Sequence, residues 1–220
     1  MFIKYLLGAL TLPLIVAACV LGVHLTTPPT VHFDMDHAER ATVMVVDDSG
    51  GGGSGVIVGP RLVLTANHVV QGEDHVTVTN FDGAKVLGVT VWASPSQDLA
   101  LVQLSSPLAG PKATISCQPL AAGDLVIAVG HPLLVADWSI TWGKVASDKP
   151  VINPESGNIL VALDLSLMPG NSGGPIFDRE GRVVAISDAV LVSQVGQGGI
   201  ALGVPMGSLC ASLPVSIAAR

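Results

Sequence analysis

The sequence predicts an all-β protein built from two six-stranded antiparallel barrels, preceded by an N-terminal transmembrane or signal helix. After about residue 40, short apolar or alternating runs recur between Gly, Pro, Asn and Asp, which is typical of sandwiches and barrels. No helical pattern of about 10–15 residues alternates with these runs, which disfavours a βαβ fold. The runs divide into two series at residues 105–119, a stretch that contains three prolines.

Each series contains six runs that we expect to form strands. The first series comprises residues 42–46, 55–58, 62–65, 75–79, 86–92 and 99–104. The second comprises residues 125–129, 139–145, 159–165, 174–177, 182–187 and 200–204. Within this part of the chain, helix is expected only at residues 67–70 and near residues 206–213.

Residues 1–27 have the features of a membrane-targeting segment. Residues 5–25 are almost wholly apolar and long enough to span a bilayer as a helix. Lys4 precedes the run and no Lys or Arg follows until Arg40, so the positive-inside rule places the remaining chain outside the cytoplasm. An uncleaved signal anchor is favoured by the length of the run, with a cleaved signal or a lipoprotein signal at Cys19 as alternatives. All three export the following domain, and residues 28–40 are predicted to be a linker.

Composition limits the classes of partner and the role of the cysteines. The 220 residues include 10 basic and 17 acidic side chains, for a net charge of −7, and no basic stripe. A nucleic-acid partner is therefore not expected. We expect Cys117 and Cys210 to be buried thiols, with a single bridge between them as the alternative in an oxidising compartment. No Cys/His cluster has zinc spacing, so neither a metal nor a cofactor is expected.

Three polar residues lie where predicted strands begin or end. His68 follows an alternating strand in LVLTANHVV, and Asp98 opens the apolar run of SQDLALVQL. Ser172 lies in MPGNSGGPIF, where glycines permit positive φ and a close backbone approach. Each residue alone is more often structural. Together they could supply a nucleophilic hydroxyl, a base that takes its proton, and an aspartate that orients the base.

The order and the setting of these residues point to acyl transfer. The glycine-rich turn around Ser172 can aim successive N–H groups into one anion-binding concavity, where an oxyanion would develop. The order His, Asp, Ser is that of chymotrypsin-type proteases, whereas α/β-hydrolases follow the order Ser, Asp, His.

Most of residues 43–213 resemble trypsin-like serine proteases, and within them the HtrA/Deg family. The resemblance is carried by five stretches in register, which are GSGVIVGPRLVLTANHVV, SQDLALVQL, AAGDLVIAVGHPL, MPGNSGGPIFDREGRVVAIS and GGIALGVPM. It implies a chymotrypsin-like protease domain at residues 41–215, with barrels at about 41–106 and 119–207.

The resemblance also implies a role for each site residue. Ser172 would be the nucleophile, His68 the general acid and base, and Asp98 the residue that orients it. The N–H groups of Gly170 and Ser172 would form the oxyanion hole. The aligned pocket stretch 165–168 lacks the acid that selects Lys or Arg, which favours small or aliphatic side chains. The predicted pocket residues are Leu165, Ser166, Leu167, Met168, Ile186, Ser187 and Asp188.

These roles predict an exported serine endopeptidase that cleaves unfolded or exposed polypeptides through an acyl-enzyme. The alternative is a catalytically silent pseudoprotease that binds peptides on the same fold.

Two departures from the family limit the analogy. The chain ends at Arg220, just past the last barrel strand, so no PDZ domain is expected. The family's regulatory loops are short in this sequence, so the resemblance leaves open whether the protein forms a homo-oligomer such as a trimer.

Overall fold

A computed structural model describes residues 33–134, 138–153, 156–192 and 199–212. The predicted anchor or signal segment and the first part of the predicted linker lie outside these residues. Within the described ranges, no helix combines the length and the apolar character needed to cross a bilayer.

The first series of strands closes into a six-stranded antiparallel barrel. Its strands are β1 Thr42–Val46, β2 Gly52–Gly59, β3 Leu62–Thr65, β4 Val76–Thr79, β5 Lys85–Ser94 and β6 Leu99–Leu104. They pair in the order β1-β2-β3-β6-β5-β4, and β1 pairs with β4 to close the barrel. Alternating side chains such as Val43 and Val45 are fully buried in its core, as expected for strands with one face inward.

The second series forms another closed six-stranded antiparallel barrel, to which two short strands are added. The strands are β7 Thr114–Ile115, β8 Leu125–Gly130, β9 Ser139–Val145, β10 Val151–Ile152, β11 Ile159–Asp164, β12 Pro175–Phe177, β13 Arg182–Val192 and β14 Gly199–Pro205. The order β11-β14-β13-β12-β8-β9 closes because β9 also pairs with β11. The predicted two-barrel fold is confirmed. β7 and β10, each only two residues long, were not predicted.

Helix α1, Met35–Ala41, corrects the prediction that residues 28–40 are wholly a linker. The side chain of Asp34 caps the helix by accepting the His37 N–H at 3.0 Å. Ala38 and Ala41 are buried, so this short amphipathic helix packs on the body of the protein. Seven residues are too few to show a helical period in the sequence. The other helices are α2 Asn67–Val70 and α3 Met206–Ser212, where helix was expected.

The cysteines of the domain differ from the favoured expectation. Cys117 and Cys210 are exposed rather than buried, and they form a disulfide that joins the segment after β7 to helix α3. Their spacing of 93 residues carried no signal of this pairing. Their Cα atoms lie 6.0 Å apart, within the range that a disulfide requires, and separation along the sequence says nothing of this distance in the fold.

Candidate active site

His68 and Asp98 form the most tightly bonded polar pair of the site. His68 lies in α2, directly after β3, and Asp98 directly precedes β6, which pairs with β3. One Asp98 carboxylate oxygen lies 2.6 Å from His68 Nδ1, and the other accepts the His68 backbone N–H at 2.9 Å. The Asp98 carbonyl also accepts the N–H of Asn67 at 3.1 Å. These three contacts fix the imidazole in one orientation and direct Nδ1 towards the carboxylate.

Asp98 adopts a conformation that few residues tolerate. Its φ is +51°, in the left-handed region, and its side chain is almost fully buried. Aspartate visits this region more readily than most residues because its short polar side chain can bond locally. The conformation turns both the carboxylate and the carbonyl of Asp98 towards α2.

The surroundings of His68 favour its protonated form. The hydrogen bond to Asp98 raises the pKa of His68, and the negative charges of Asp98 and Asp188 act in the same direction. Burial acts against them, but the His68 side chain keeps 44% of its exposed area, so the opposing cost is limited. An imidazolium that forms during proton transfer would therefore be stabilised here.

Two glycines allow the Ser172 loop to pack closely against α2. A Cβ on Gly53 would lie against the Ser172 carbonyl and 2.8 Å from the side chain of Val69, the residue after His68. A Cβ on Gly173, whose φ is +83°, would lie 2.9 Å from the backbone nitrogen of Ala66. The absence of side chains at these two glycines lets the serine loop of the second barrel reach the histidine helix of the first.

Ser54 on β2 joins the two barrels at the site. Its hydroxyl donates to the Gly170 carbonyl at 2.7 Å and accepts the His131 backbone N–H at 3.0 Å, while its own N–H donates to the Ser172 carbonyl at 2.7 Å. It is fully buried. Sequence reasoning did not identify this role, although the glycines on either side of Ser54 indicate that backbones approach it closely.

Two backbone N–H groups around Ser172 have no hydrogen-bond partner among the described residues. The Pro169 carbonyl accepts the Leu133 N–H at 2.6 Å, and a trans peptide directs the Gly170 N–H to the opposite side. Gly170 holds this turn with a φ of +96°. In the ranges that the structure describes, the N–H groups of Gly170 and Ser172 donate no hydrogen bond, whereas the intervening Asn171 N–H donates to Met168.

The Ser172 hydroxyl makes a contact that the sequence did not predict. It donates to the backbone carbonyl of Asp188 at 3.0 Å, and no hydrogen bond joins it to His68 among the residues described. The side chain of the same Asp188 approaches His68 and Asp98. One ring nitrogen of His68 and one carboxylate oxygen from each aspartate lie within 4.8 Å of one another.

These three side chains are also a potential set of metal ligands. Both carboxylate oxygens of Asp98 are already hydrogen-bonded to His68, so a metal would have to displace these contacts. The arrangement is therefore better suited to proton transfer than to holding an ion.

The predicted pocket residues fall into three groups. Leu165 and Leu167 are half-buried against the core of the second barrel, while Ser166 and Met168 are exposed. Ile186 and Ser187 are buried in β13. Asp188 faces His68 and Asp98, so the structure brings this residue to the candidate catalytic side chains rather than only to a pocket wall.

Comparisons with known proteins agree with this geometry. A family model, the trypsin-like peptidase domain, matches residues 53–186. The serine protease Do-like HtrA of Bacillus subtilis (strain 168) is 32% identical over 170 residues, covering 72% of this chain and 38% of the relative. The probable periplasmic serine protease do/HhoA-like of Haemophilus influenzae is 34% identical over 161 residues, covering 70% and 34% respectively. The chain thus spans little more than a third of the length of these relatives.

A solved structure extends the similarity to the fold. The structure titled HtrA-type protease AlgW with tripeptide superposes with a TM-score of 0.70 at 26% identity, covering 80% of this chain and 60% of that one. The family match spans both barrels, including His68, Asp98 and Ser172. This chain belongs to the trypsin-like peptidase domain family and is an HtrA- and DegP-like member of it.

Proposed function

We propose that the protein is a serine endopeptidase in which Ser172, His68 and Asp98 act as a catalytic triad. The observation that carries the proposal is the fixed orientation of His68, whose ring Nδ1 and backbone N–H each contact one carboxylate oxygen of Asp98, and whose helix packs against the glycine loop of Ser172. A serine hydroxyl is a weak nucleophile without a base, and an oriented imidazole supplies one.

The proposed reaction uses the ring nitrogen that Asp98 leaves free. The Ser172 hydroxyl turns from the Asp188 carbonyl towards His68 Nε2, which takes its proton as Oγ attacks the scissile carbonyl. The N–H groups of Gly170 and Ser172 stabilise the oxyanion. His68 then returns the proton to the leaving amine, which breaks the peptide bond and leaves an acyl-enzyme. Water, deprotonated by His68, releases the acid and restores the serine.

We further propose that the substrates are exposed or unfolded polypeptides, with small or aliphatic side chains before the scissile bond. The similarity to HtrA- and DegP-like serine proteases and the apolar predicted pocket wall of Leu165 and Leu167 support this assignment. Export of the domain is supported by the disulfide between Cys117 and Cys210 and by relatives named as periplasmic.

A fluorophosphonate probe, which reacts with activated serines, tests the proposal. The folded protein should be labelled, Ser172→Ala should not, and His68→Ala should react slower by a factor on the order of 10³ or more, because triad members act as a unit. Labelling that persists in Ser172→Ala would show that a residue other than Ser172 is the nucleophile. A folded wild type that binds unfolded polypeptide yet resists labelling would favour the pseudoprotease instead.

A further inference from the structure

Asp188 occupies an irregular position in its strand. The pairing between β13 and β14 shifts at this residue, with Ser187 opposite Gly203 and Ala189 already opposite Leu202. Asp188 is therefore the extra residue of a β-bulge, which leaves it outside the regular ladder and re-aims its side chain. Its carbonyl accepts the hydrogen bond of the Ser172 hydroxyl, and its carboxylate lies close to His68 and Asp98.

The serine loop holds Asp188 in this place. The neighbouring Ser187 exchanges two backbone hydrogen bonds with the loop, donating to Gly174 and accepting from Gly173, both at 2.8 Å. The Asp188 backbone therefore lies beside Ser172 whatever side chain it carries. These backbone contacts do not require a carboxylate at position 188. The role of the Asp188 carboxylate must therefore come from the side chains near it.

Two titratable groups face the Asp188 carboxylate, Asp98 from the segment before β6 and His68 from α2. The Ser172 hydroxyl contacts only its backbone. Burial raises the pKa of Asp188 to about 6, the charge of Asp98 and a hydrogen bond with it act in the same direction, and His68 opposes them. Asp188 therefore changes charge close to the pH at which an imidazole does.

We propose that Asp188 is a positioning residue for His68, whose carboxylate is the second negative partner of the imidazolium and sets the pH at which the site gains its base. The inference rests on the proposed function for its catalytic consequence. When Asp188 is ionised, two carboxylates face one imidazolium, and His68 holds its proton to a higher pH. When Asp188 is protonated, it is neutral and donates a hydrogen bond to Asp98, so only one anion acts on the ring.

The variant Asp188→Asn separates charge from shape, since the amide is nearly isosteric and can still donate to Asp98. Removing the second anion lowers the pKa of His68, so the unprotonated base becomes available at lower pH. The ratio of fluorophosphonate labelling rates at about pH 7, where wild-type Asp188 is mostly ionised, to those at about pH 9 should rise by about twofold to fivefold over wild type. Asp148→Asn, a neutralised acid exposed in the loop after β9, is the matched control and should leave the ratio unchanged.

A second measurement does not depend on catalysis. In a Ser172→Ala background, the His68 ring is titrated by NMR with labelled histidine, and His68→Gln assigns its signal. The His68 midpoint should move to lower pH in Asp188→Asn and stay in place in Asp148→Asn. An unchanged midpoint in folded Asp188→Asn would overturn the inference. If no variant is labelled while the midpoint moves, the proposed function fails and the inference about His68 stands.

Discussion

Replacing Asp188 with asparagine should stabilise the fold at about pH 8. The pKa of the Asp188 carboxyl is raised from 3.8 to about 6, chiefly by burial. Between these values the folded protein binds a proton that the unfolded chain has released. The free energy of unfolding therefore falls as pH rises from about 4 towards 7, and the ionised carboxylate destabilises the fold above that range. The uncharged asparagine side chain would carry no such penalty.

The size of the effect follows from the two pKa values. The gap between 3.8 and about 6 corresponds to about 3 kcal/mol, at about 1.36 kcal/mol per pH unit. Asp188 is only half-buried, so solvent screens part of this penalty and we expect about 1–2 kcal/mol. Any change that comes from shape alone is the same at both pH values. The quantity to compare is thus the difference between variant and wild type at about pH 8, minus that difference at about pH 4.

Urea unfolding followed by tryptophan fluorescence measures this quantity, with Ser172→Ala in both proteins to prevent self-cleavage. Comparable m-values at the two pH values would show that the same transition is observed. Asp148→Asn makes the same chemical change at an exposed site and should give no pH-dependent gain. A gain of equal size at both pH values, or a loss at the higher one, would refute the assignment of a buried charge penalty to Asp188.

Three further predictions concern other parts of the domain. Asp98→Asn should slow fluorophosphonate labelling by a factor on the order of 10³–10⁴, because the amide favours the wrong tautomer of the base, and labelling within about tenfold of wild type would contradict this. Gly170→Ala should reduce the labelling rate on the order of 100-fold, because the new Cβ meets the His131 carbonyl and shifts the turn. Gly181 also has a positive φ but has open space around it, so Gly181→Ala should leave labelling unchanged and lower the free energy of unfolding by only about 1 kcal/mol in urea. Replacing Cys117 and Cys210 together with alanine should cost about 2–4 kcal/mol, and a reducing agent should then have no further effect on unfolding.

The strands were predictable because each barrel has one inward face. Ten of the twelve barrel strands, such as β3 and β6, follow runs of apolar or alternating residues within two residues of their predicted bounds. The exceptions are β2, which extends to Gly52 through a glycine-rich segment, and β13, which continues to Val192. Glycine carries no hydrophobic signal, and β13 continues through a bulge that interrupts strand alternation. Hydrophobic pattern reveals a strand only where its residues alternate regularly.

The sequence marks the members of the candidate site but not all of their contacts. His68, Asp98 and Ser172 are marked in the sequence by strand-to-turn transitions and glycines, which are local features. The bond from Ser54 to Gly170 joins residues 116 positions apart, and the Asp188 carboxylate reaches His68 only because β13 bulges beside the serine loop. Such contacts depend on the packing of two barrels, and no local propensity encodes them. For that reason the sequence predicts Asp188 only as part of a pocket wall.

The distribution of backbone strain supports the assignment of this region as the functional site. Among the described residues, only Asp98, Leu133 and Leu134 adopt positive φ without being glycine, at 51°, 59° and 55°. Asp98 orients His68, and the Leu133 N–H holds the Pro169 carbonyl that turns Gly170 outward. A Cβ on Gly170 would lie 3.2 Å from the Leu134 nitrogen, so Leu134 borders the same turn. Each such conformation costs about 1–3 kcal/mol and persists only where the surrounding structure enforces it. The strained residues lie in two separate loops, one from each barrel, close to Ser172. This distribution is expected if the fold is maintained for the chemistry of the Ser172 hydroxyl.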